Sequence, residues 1–159
     1  MKENMIIGRI ENGTVIDHIP GGVAFSILKI LGIGKHFPST VSVAMNVKSK
    51  QLGIKDMLKV ENRELKEDEV DKLALVAPHA TVNIIRNGKV AGKRVVNLPK
   101  ELVGVVECGN PKCVTNFENE FNLTEPITSK FIVVKEDPLT IRCTFCERNF
   151  SGEDIEDLI

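Results

Sequence analysis

Four stretches in the first hundred residues alternate apolar and polar positions and are rich in β-branched residues, a pattern that predicts β-strands. They lie at 13–19, 41–47, 54–60 and 80–86. The dipeptide Asn87-Gly88 follows the last of them, and between two apolar stretches it predicts a β-hairpin whose second strand lies in KVAGKRVVNL. Five strands are therefore expected in this part of the chain.

Two further stretches have the spacing of an amphipathic helix. The first follows Pro20-Gly21-Gly22, ends at Gly32 and has its apolar face at Val23, Ile27, Ile30 and Leu31. The second begins with acidic residues, ends at Pro78 and has its apolar face at Val70, Leu73, Ala74 and Ala77. The resulting order is β-α-β-β-α-β with one added strand. This order predicts a ferredoxin-like antiparallel sheet with both helices on one face.

The remaining residues contain shorter strand-like stretches at 102–107, 131–136, 139–143 and 147–150. The segment 114–130 is polar and acidic without a period, and it is predicted to be a surface loop. Fewer than 60 residues bury little apolar surface, so this part needs a further source of stabilisation.

All four cysteines of the chain lie in this last part, in the motifs CGNPKC and CTFC: Cys108, Cys113, Cys143 and Cys146. Two close pairs without a spare thiol predict one tetrahedral tetrathiolate site for a Zn²⁺ ion. Four sulfur ligands leave no position for a substrate, which indicates a structural role. Two disulfides, an iron–sulfur site and a rubredoxin-like iron site are the alternatives.

Charge divides the chain at the same place as the strand pattern. Residues 1–100 carry 16 Lys and Arg against 10 Asp and Glu, whereas residues 101–159 carry 5 against 12. The two parts therefore have net charges of +6 and −7, which give the overall −1. A basic part suits an anionic ligand. With 97–100 as the linker, the predicted α+β organisation is a ferredoxin-like domain at 1–97 and a small all-β zinc-binding domain at 101–159.

Catalytic motifs are difficult to find. There is no GxSxG or HExxH motif, and Leu31-Gly32-Ile33-Gly34-Lys35 lacks the spacing of a phosphate loop. Asp17 and His18 are adjacent in a strand, where alternation would put them on opposite faces, so an acid–base dyad is not expected. A group of cations near the strands is either solvated surface or a phosphate-binding patch: Lys55, Lys59, Lys89, Lys93 and Arg94.

Composition predicts a soluble globular protein, with 42% hydrophobic and 27% charged residues. No apolar run approaches the roughly 20 residues of a membrane-spanning helix, and no membrane partner is expected. The N-terminus has no apolar signal segment, so a cytoplasmic location is expected.

Three segments and the two cysteine motifs, in this order, closely resemble the regulatory chain of aspartate carbamoyltransferase: GTVIDHIP (13–20), KDMLKVEN (55–62) and ELKEDEVDKLALVAPHATVNIIRN (64–87). The resemblance implies a noncatalytic subunit in pyrimidine biosynthesis. Its N-terminal domain would bind CTP, ATP or UTP allosterically, and its zinc domain would dock on the catalytic chain. Regulatory homodimers would link catalytic trimers in a dodecamer of two catalytic trimers and three regulatory dimers.

The resemblance also implies which residues bind the nucleotide. Lys93 and His18 would contact phosphates, and Lys59 and Asp17 would contact the ribose region. The whole set is Ile7, Ile10, Asp17, His18, Lys59, Asn83, Ile85 and Lys93. Contact with the catalytic chain would involve Asn110, Glu147 and Arg148, whose alternative role is to orient turn backbone toward the sulfurs.

Two other classes of protein share parts of this pattern. A zinc-ribbon nucleic-acid-binding protein would explain the metal and the basic residues, but its ribbon should be basic and carry stacking aromatics. The cysteine-rich part is instead acidic, with Phe as its only aromatic residue type. A rubredoxin-like electron carrier would explain the cysteines alone. Nucleic acid is therefore not the expected partner.

Overall fold

The computed structural model describes residues 9–116 and 127–159 of the chain. By its internal contacts the chain divides into two compact units, Met1–Asn97 (unit 1) and Leu98–Ile159 (unit 2). In these described residues, each unit contains one β-sheet. Ile7 and residues 117–126 of the segment predicted to be a surface loop lie outside the described residues.

Unit 1 is built on an antiparallel sheet of five strands in the order β2-β3-β1-β4-β5. The strands are β1 (Gly13–Pro20), β2 (Val41–Ser49), β3 (Gly53–Glu61), β4 (Thr81–Arg86) and β5 (Lys89–Val95). The predicted hairpin turn between β4 and β5 is confirmed, since Asn87 and Gly88 both have positive φ, 52° and 74°. Strand β5 adds an edge to the ferredoxin-like order of the first four strands.

Two helices, α1 (Ala24–Ile30) and α2 (Glu67–Leu73), contact each other on one face of this sheet. Together with the strand order they confirm the predicted ferredoxin-like plan. Helix α2 is shorter than its apolar pattern indicated, because the chain tightens after Leu73, where the Val76 N–H donates to the Leu73 carbonyl at 3.1 Å. Among the described residues, none of the helices has the length and apolar character needed to cross a membrane.

The core of unit 1 lies between the helices and the sheet. Its completely buried apolar side chains from the sheet are Ile16, Ile19, Leu58 and Val60, and those from the helices are Ala24, Ile27 and Leu73. Val23 and Ile30 of the predicted α1 face are only half-buried. The sheet face away from α1 and α2 is called the distal face.

Strand β1 contains a β-bulge near its end. Ile16 pairs with Leu58 of β3, but Ile19 pairs with Asp56, so β1 has one residue more than β3 across this interval. The backbone at His18 accordingly has a positive φ of 58°. An extra residue of this kind changes which face the following side chains occupy.

Strand β2, on the other side of β3, carries a second bulge at the same level. Ala44 pairs with Met57, whereas Val47 pairs with Lys55. Asn46 lies within this interval and has a φ of 57°. Both neighbours of β3 therefore change register opposite the same short segment.

The side chain of Asp56 joins these irregular segments. It is completely buried and accepts the backbone N–H groups of Gly22 and Ala24 at Oδ2 and of Asn46 at Oδ1, each at 2.9 Å. A buried carboxylate is costly unless its oxygens are hydrogen-bonded. The three bonds therefore satisfy Asp56 and fix both the loop after β1 and the bulge in β2.

Unit 2 contains an antiparallel sheet in the sequential order β6-β7-β8-β9. Its strands are β6 (Glu101–Val103), β7 (Lys130–Glu136), β8 (Leu139–Cys143) and β9 (Asn149–Ser151). Strand β6 is shorter than the predicted 102–107, because the chain turns at Gly104 with a φ of 67°. A short 3-10 turn (Val114–Asn116) and helix α3 (Glu153–Glu156) have no counterpart in the sequence pattern.

The core of unit 2 is small and centres on two phenylalanines. The buried Phe131 ring packs edge to face against Phe150, with ring centroids 6.1 Å apart. Leu102, Ile141 and Ile155 are completely or almost completely buried beside the same sheet. So small a core agrees with the expectation that this part depends on a further source of stabilisation.

We expect Asp56→Asn to loosen unit 1. The amide has nearly the same size, but it replaces an acceptor oxygen by a donor that faces a backbone N–H. A hydrogen bond to a charged group contributes about 1.5–3 kcal/mol, so a loss of this order or more is expected. Hydrogen exchange measured by NMR should accelerate at the amides of Gly22, Ala24 and Asn46.

The matched control is Asp71→Asn, at a half-buried position of α2. It makes the same chemical change away from the two bulges and should leave the exchange rates of these three amides as they are. Equal protection in the Asp56 and Asp71 variants would contradict the role given to Asp56.

Candidate metal centre and ligand-binding face

The four cysteines of unit 2 meet in one cluster. All are free thiols, and their sulfur atoms all lie within 4.8 Å of one another. The distance from Cys108 Sγ to Cys146 Sγ is 3.6 Å, and that from Cys113 Sγ to Cys143 Sγ is 3.7 Å. Four sulfurs bound to one tetrahedral ion at the usual zinc–sulfur distance would be about 3.8 Å apart. The cluster therefore fits a single metal ion.

Two loops of unit 2 bring these sulfurs together. Cys108 and Cys113 follow β6, whereas Cys143 ends β8 and Cys146 lies in the turn toward β9. The second turn is closed by backbone hydrogen bonds, from the Glu147 N–H to the Cys143 carbonyl at 2.9 Å and from the Cys143 N–H to the Arg148 carbonyl at 3.0 Å. The β8–β9 hairpin thus positions one pair of ligands.

Close packing against the C-terminal segment holds the first loop. A Cβ atom at Gly109 would lie 2.9 Å from both Leu158 Cδ2 and Phe150 Cε1, so only glycine fits without displacement. The Glu107 N–H also donates to the Leu158 carbonyl at 2.9 Å. The position of the first cysteine pair therefore depends on residues near the C-terminus.

Hydrogen-bond donors surround the sulfurs. The Asn110 N–H donates to Cys108 Sγ at 3.5 Å, and the Thr115 hydroxyl donates to Cys113 Sγ at 3.2 Å. Cys146 accepts the Arg148 N–H and the Asn110 side chain. Such donors stabilise thiolates, which are the form of cysteine that binds metal.

The thiols differ in how readily they lose a proton. Burial is the main cause that raises the pKa of Cys108 and of Cys143 above the ordinary value, and neighbouring sulfurs add to it. Burial also acts on Cys146, but the donors around it outweigh burial and lower its pKa to about 7. A divalent cation among the sulfurs would favour the deprotonated form of all four.

The residues that the resemblance assigned to partner contact lie on these two loops. Asn110 is half-buried, whereas Glu147 and Arg148 are exposed. Their backbone groups take part in the hydrogen bonds of the turns around the sulfurs. Thr115 and Asn116, which also contact this loop, have no signal in the cysteine motif, because their contacts depend on the 3-10 turn that follows it.

In unit 1, a row of paired residues crosses the sheet from β3 to β5. Lys59 pairs with Val15, Val15 with Asn83, and Asn83 with Lys93. Directly paired residues of antiparallel strands project from the same face. Leu58, adjacent to Lys59 in β3, points into the core. Lys59, Asn83 and Lys93 therefore share the distal face.

The bulge in β1 adds Asp17 and His18 to the distal face. Ile16 and Ile19 both point into the core, so the two residues between them lie on the other side. The prediction that Asp17 and His18 lie on opposite faces is wrong, because the bulge interrupts the alternation. His18 Nδ1 lies 3.2 Å from Oγ1 of Thr81, a residue that pairs with Asp17 and that no sequence motif singled out.

Asp17 forms an ion pair on this face. Its Oδ1 lies 2.9 Å from Lys55 Nζ and accepts the His18 backbone N–H at 2.6 Å. Burial by itself would raise the pKa of Asp17, but the hydrogen bonds from Lys55 and His18, together with the charge of Lys55, hold it below the ordinary 3.8. Asp17 is therefore ionised at neutral pH.

The cations considered as a phosphate-binding patch divide between the two faces of the sheet. Those on the distal face are Lys55, Lys59 and Lys93. Arg94 pairs with Val82, which is buried on the side of the helices. Lys89 pairs with Arg86, which the alternation along β4 puts on the same side as Val82. Both cations therefore lie on the side opposite the distal face. The patch is thus smaller than the sequence indicated.

Two further residues of the predicted nucleotide site, Ile85 and Ile10, lie near the β4–β5 turn. Ile85 is buried and pairs with Gly13. Ile10 is also buried, and the carbonyl of the following Glu11 accepts the Gly88 N–H at 2.8 Å, which brings this segment beside the β4–β5 turn. Ile7 is outside the described residues.

The fold and the cysteine cluster together define the class of this protein: a ferredoxin-like domain is followed by a small cysteine-rich domain that can bind a metal ion. Two family models match the chain: that of the aspartate carbamoyltransferase regulatory chain, allosteric domain, at residues 5–97, and that of the metal binding domain of the same chain, at residues 100–156.

Curated relatives with the same description are similar over nearly their whole length. The regulatory chain of Thermofilum pendens is 48% identical over 157 residues, which cover 99% of this chain and 96% of the relative. That of Korarchaeum cryptofilum is 50% identical over 155 residues, 98% and 96% of the two chains. That of Pyrococcus horikoshii is 49% identical over 150 residues, 94% of each.

The chain belongs to the family of aspartate carbamoyltransferase regulatory chains, with an allosteric domain and a metal-binding domain. Regulatory chains are noncatalytic subunits, so the prediction that this chain is not an enzyme is confirmed. Family membership also implies a catalytic chain as partner. The interpretations as a nucleic-acid-binding ribbon or an electron carrier have no support from these matches.

We expect the Asp17 carboxyl to titrate below pH 3.8, with Lys55 as the main external cause. A lowered folded-state pKa means that the ion pair stabilises unit 1 above the unfolded-state pKa and loses this contribution as the pH falls through the folded-state pKa. At this half-buried site the contribution is on the order of 1 kcal/mol. NMR titration of the Asp17 carboxyl carbon should give the midpoint directly.

Lys55→Met should raise that midpoint, because it removes both the hydrogen bond and the charge. Lys48→Met, an exposed lysine of β2, removes the same charge from the same sheet and should leave the midpoint unchanged. A midpoint that does not respond to Lys55→Met would rule out the ion pair as the cause.

Proposed function

We propose that this chain binds nucleoside triphosphates on the distal face of unit 1 and transmits their effect to a catalytic chain through a zinc-stabilised unit 2. The observation that carries the proposal is the convergence of His18, Lys59, Asn83 and Lys93 on one sheet face within the allosteric domain. Cations and hydrogen-bonding groups on one sheet face suit reversible binding of a polyanion.

The positions on the sheet support separate roles along the nucleotide. Lys93 on β5 is two strands from β1, about 10 Å across the sheet, and His18 is offset along β1 by three residues from Val15, which lies in the row of Lys93. A long lysine side chain spans part of this separation. Both would contact phosphates. Lys59, on the far side of β1, would meet the ribose together with Asp17. We therefore expect the phosphates toward β5 and the ribose toward β3.

The base would lie beside Ile85, with Ile10 and Ile7 nearby and backbone carbonyls as acceptors. The exocyclic amines of cytosine and adenine can each donate to a carbonyl, so one pocket can take CTP and ATP. UTP presents a carbonyl there instead and would depend more on its phosphates. Opposite effects of two nucleotides require that each prefers a different state of the assembly.

The ion held by the four thiols is proposed to be one Zn²⁺. A set of four sulfurs at tetrahedral spacing is the usual ligand set of structural zinc sites. When bound, the ion supplies cross-linking of the two loops and takes no part in a reaction. Cys108, Cys113, Cys143 and Cys146 would hold it.

Docking on the catalytic chain is proposed for the surface around the two cysteine loops. Glu147 and Arg148 present exposed charges there, and Asn110 lies beside them. Regulatory homodimers would link catalytic trimers in the dodecamer of two catalytic trimers and three regulatory dimers, in the cytoplasm. The metal would act indirectly, because it holds this surface in shape.

Calorimetric titration of CTP into the zinc-loaded chain, with ATP as competitor, tests the nucleotide site. Lys93→Ala should weaken binding by about 1.5–3 kcal/mol, the range for hydrogen bonds to charged groups. Arg94→Ala removes the same charge from the neighbouring residue on the opposite face and should change the affinity little. Equal weakening by both variants, or none by Lys93→Ala, would remove Lys93 from the site.

Cys143→Ser should release the metal and abolish association with purified catalytic trimers, while CTP binding by unit 1 persists. Thr140→Ser, on the same strand, keeps its hydroxyl and should behave as the unmodified chain. Metal content and gel filtration with the trimers give the two readouts. A metal-free variant that still assembles would contradict the docking role of unit 2.

A further inference from the structure

The loop between Cys108 and Cys113 is closed by a side chain outside the cysteine motif. Asn116 Nδ2 donates to the backbone carbonyls of Cys108 and Asn110, both at 2.8 Å. Asn116 lies in the 3-10 turn after Cys113, and its own N–H donates to the Cys113 carbonyl at 2.9 Å. One residue is thus bonded to the beginning, the middle and the end of this loop.

The longer spacing of the first cysteine pair explains why such a contact is needed. In the CTFC turn, the backbone N–H groups of Phe145 and Cys146 donate to the Cys143 sulfur, so a short turn fixes both ligands. Four residues separate the cysteines of CGNPKC, and one tight turn does not constrain so long a loop. Its shape depends on contacts from outside the motif.

Asn110 is the residue about which the first loop turns. Its N–H donates to Cys108 Sγ at 3.5 Å, and its carbonyl accepts the Cys113 N–H at 2.9 Å. Asn116 bonds to this same carbonyl. Fixing Asn110 therefore fixes both the donor to the Cys108 sulfur and the position of Cys113.

A primary amide is the group that suits this position. Its nitrogen carries two hydrogens, and two carbonyls accept one each. An aspartate of the same shape has no donor and would direct a negative charge at both carbonyls. An alanine leaves the two carbonyls without the bond but adds no charge, so the two substitutions separate hydrogen bonding from electrostatics.

We propose that Asn116 is a positioning residue of the metal centre, which pre-organises the Cys108–Cys113 pair and so sets the affinity and the release rate of the metal. This inference rests on metal binding by the four cysteines and is independent of whether the ion is zinc. Removing an outer partner of metal ligands typically lowers metal affinity about 10–100-fold. A loss of this size is expected for Asn116.

The test compares Asn116→Asp and Asn116→Ala with Asn149→Asp in the full chain. Asn149 Oδ1 accepts from Arg142 Nε at 2.8 Å, a bond that a carboxylate retains, so this control adds the same charge to the same unit. Competition of Co²⁺ and of Zn²⁺ against a chromogenic chelator gives affinity and release rate. Both Asn116 variants should bind about 10–100-fold more weakly and release metal faster, unlike the control.

The cobalt absorption spectrum separates positioning from ligand loss. At saturating Co²⁺ all variants should show the same tetrathiolate bands, because the four ligands are unchanged. Unchanged affinity in both Asn116 variants would overturn the proposal, and so would an altered spectrum. The proposal would also be overturned if Asn116→Asp and Asn149→Asp weakened metal binding equally and Asn116→Ala did not, because the added charge would then be the cause. If the unmodified chain binds neither ion, the metal site itself is refuted.

Discussion

The geometry of unit 1 depends on the contacts of the buried Asp56 carboxylate. It lies on β3 where both neighbouring strands carry a bulge. It accepts three backbone N–H groups, from Asn46 of β2, from Gly22 of the loop after β1 and from Ala24, the first residue of α1. Leaving such donors buried without an acceptor would cost about 1–3 kcal/mol each. The bulge in β1 beside it turns Asp17 and His18 to the distal face. The Asp56 carboxylate, on the core side of the sheet, thus helps to determine which side chains lie on the distal face.

Unit 2 also contains irregular backbone that has to be held in place, and it has fewer residues to do so. Its core rests on two phenylalanines and a few aliphatic side chains, and its cysteine loops have no regular secondary structure of their own. Burial raises the pKa of Cys108 and of Cys143, so these two thiols favour their protons. A bound cation would reverse this preference and join both loops, which couples the folding of unit 2 to metal binding.

The two units of this regulatory chain differ in net charge. The basic unit presents cations on one sheet face and suits a small polyanion, whereas the acidic unit presents a surface whose shape a metal would fix. Such an arrangement changes the activity of a partner only if the partner complex has two states that the ligand distinguishes. The absence of a catalytic motif in the sequence is in keeping with this division, since the chemistry belongs to the catalytic chain.

Local patterns in the sequence were enough to predict the order of the elements, the β4–β5 turn, the set of four cysteines and the family. These follow from local periodicity, from turn chemistry and from motifs that adjacent residues carry. The folded structure added the bulge at Asp17 and His18, the face of the sheet on which Lys93 lies, and the contact of Asn116 with the first cysteine loop. The physical reason is that register and side-chain-to-backbone hydrogen bonds depend on partners distant in the chain, which no local pattern records.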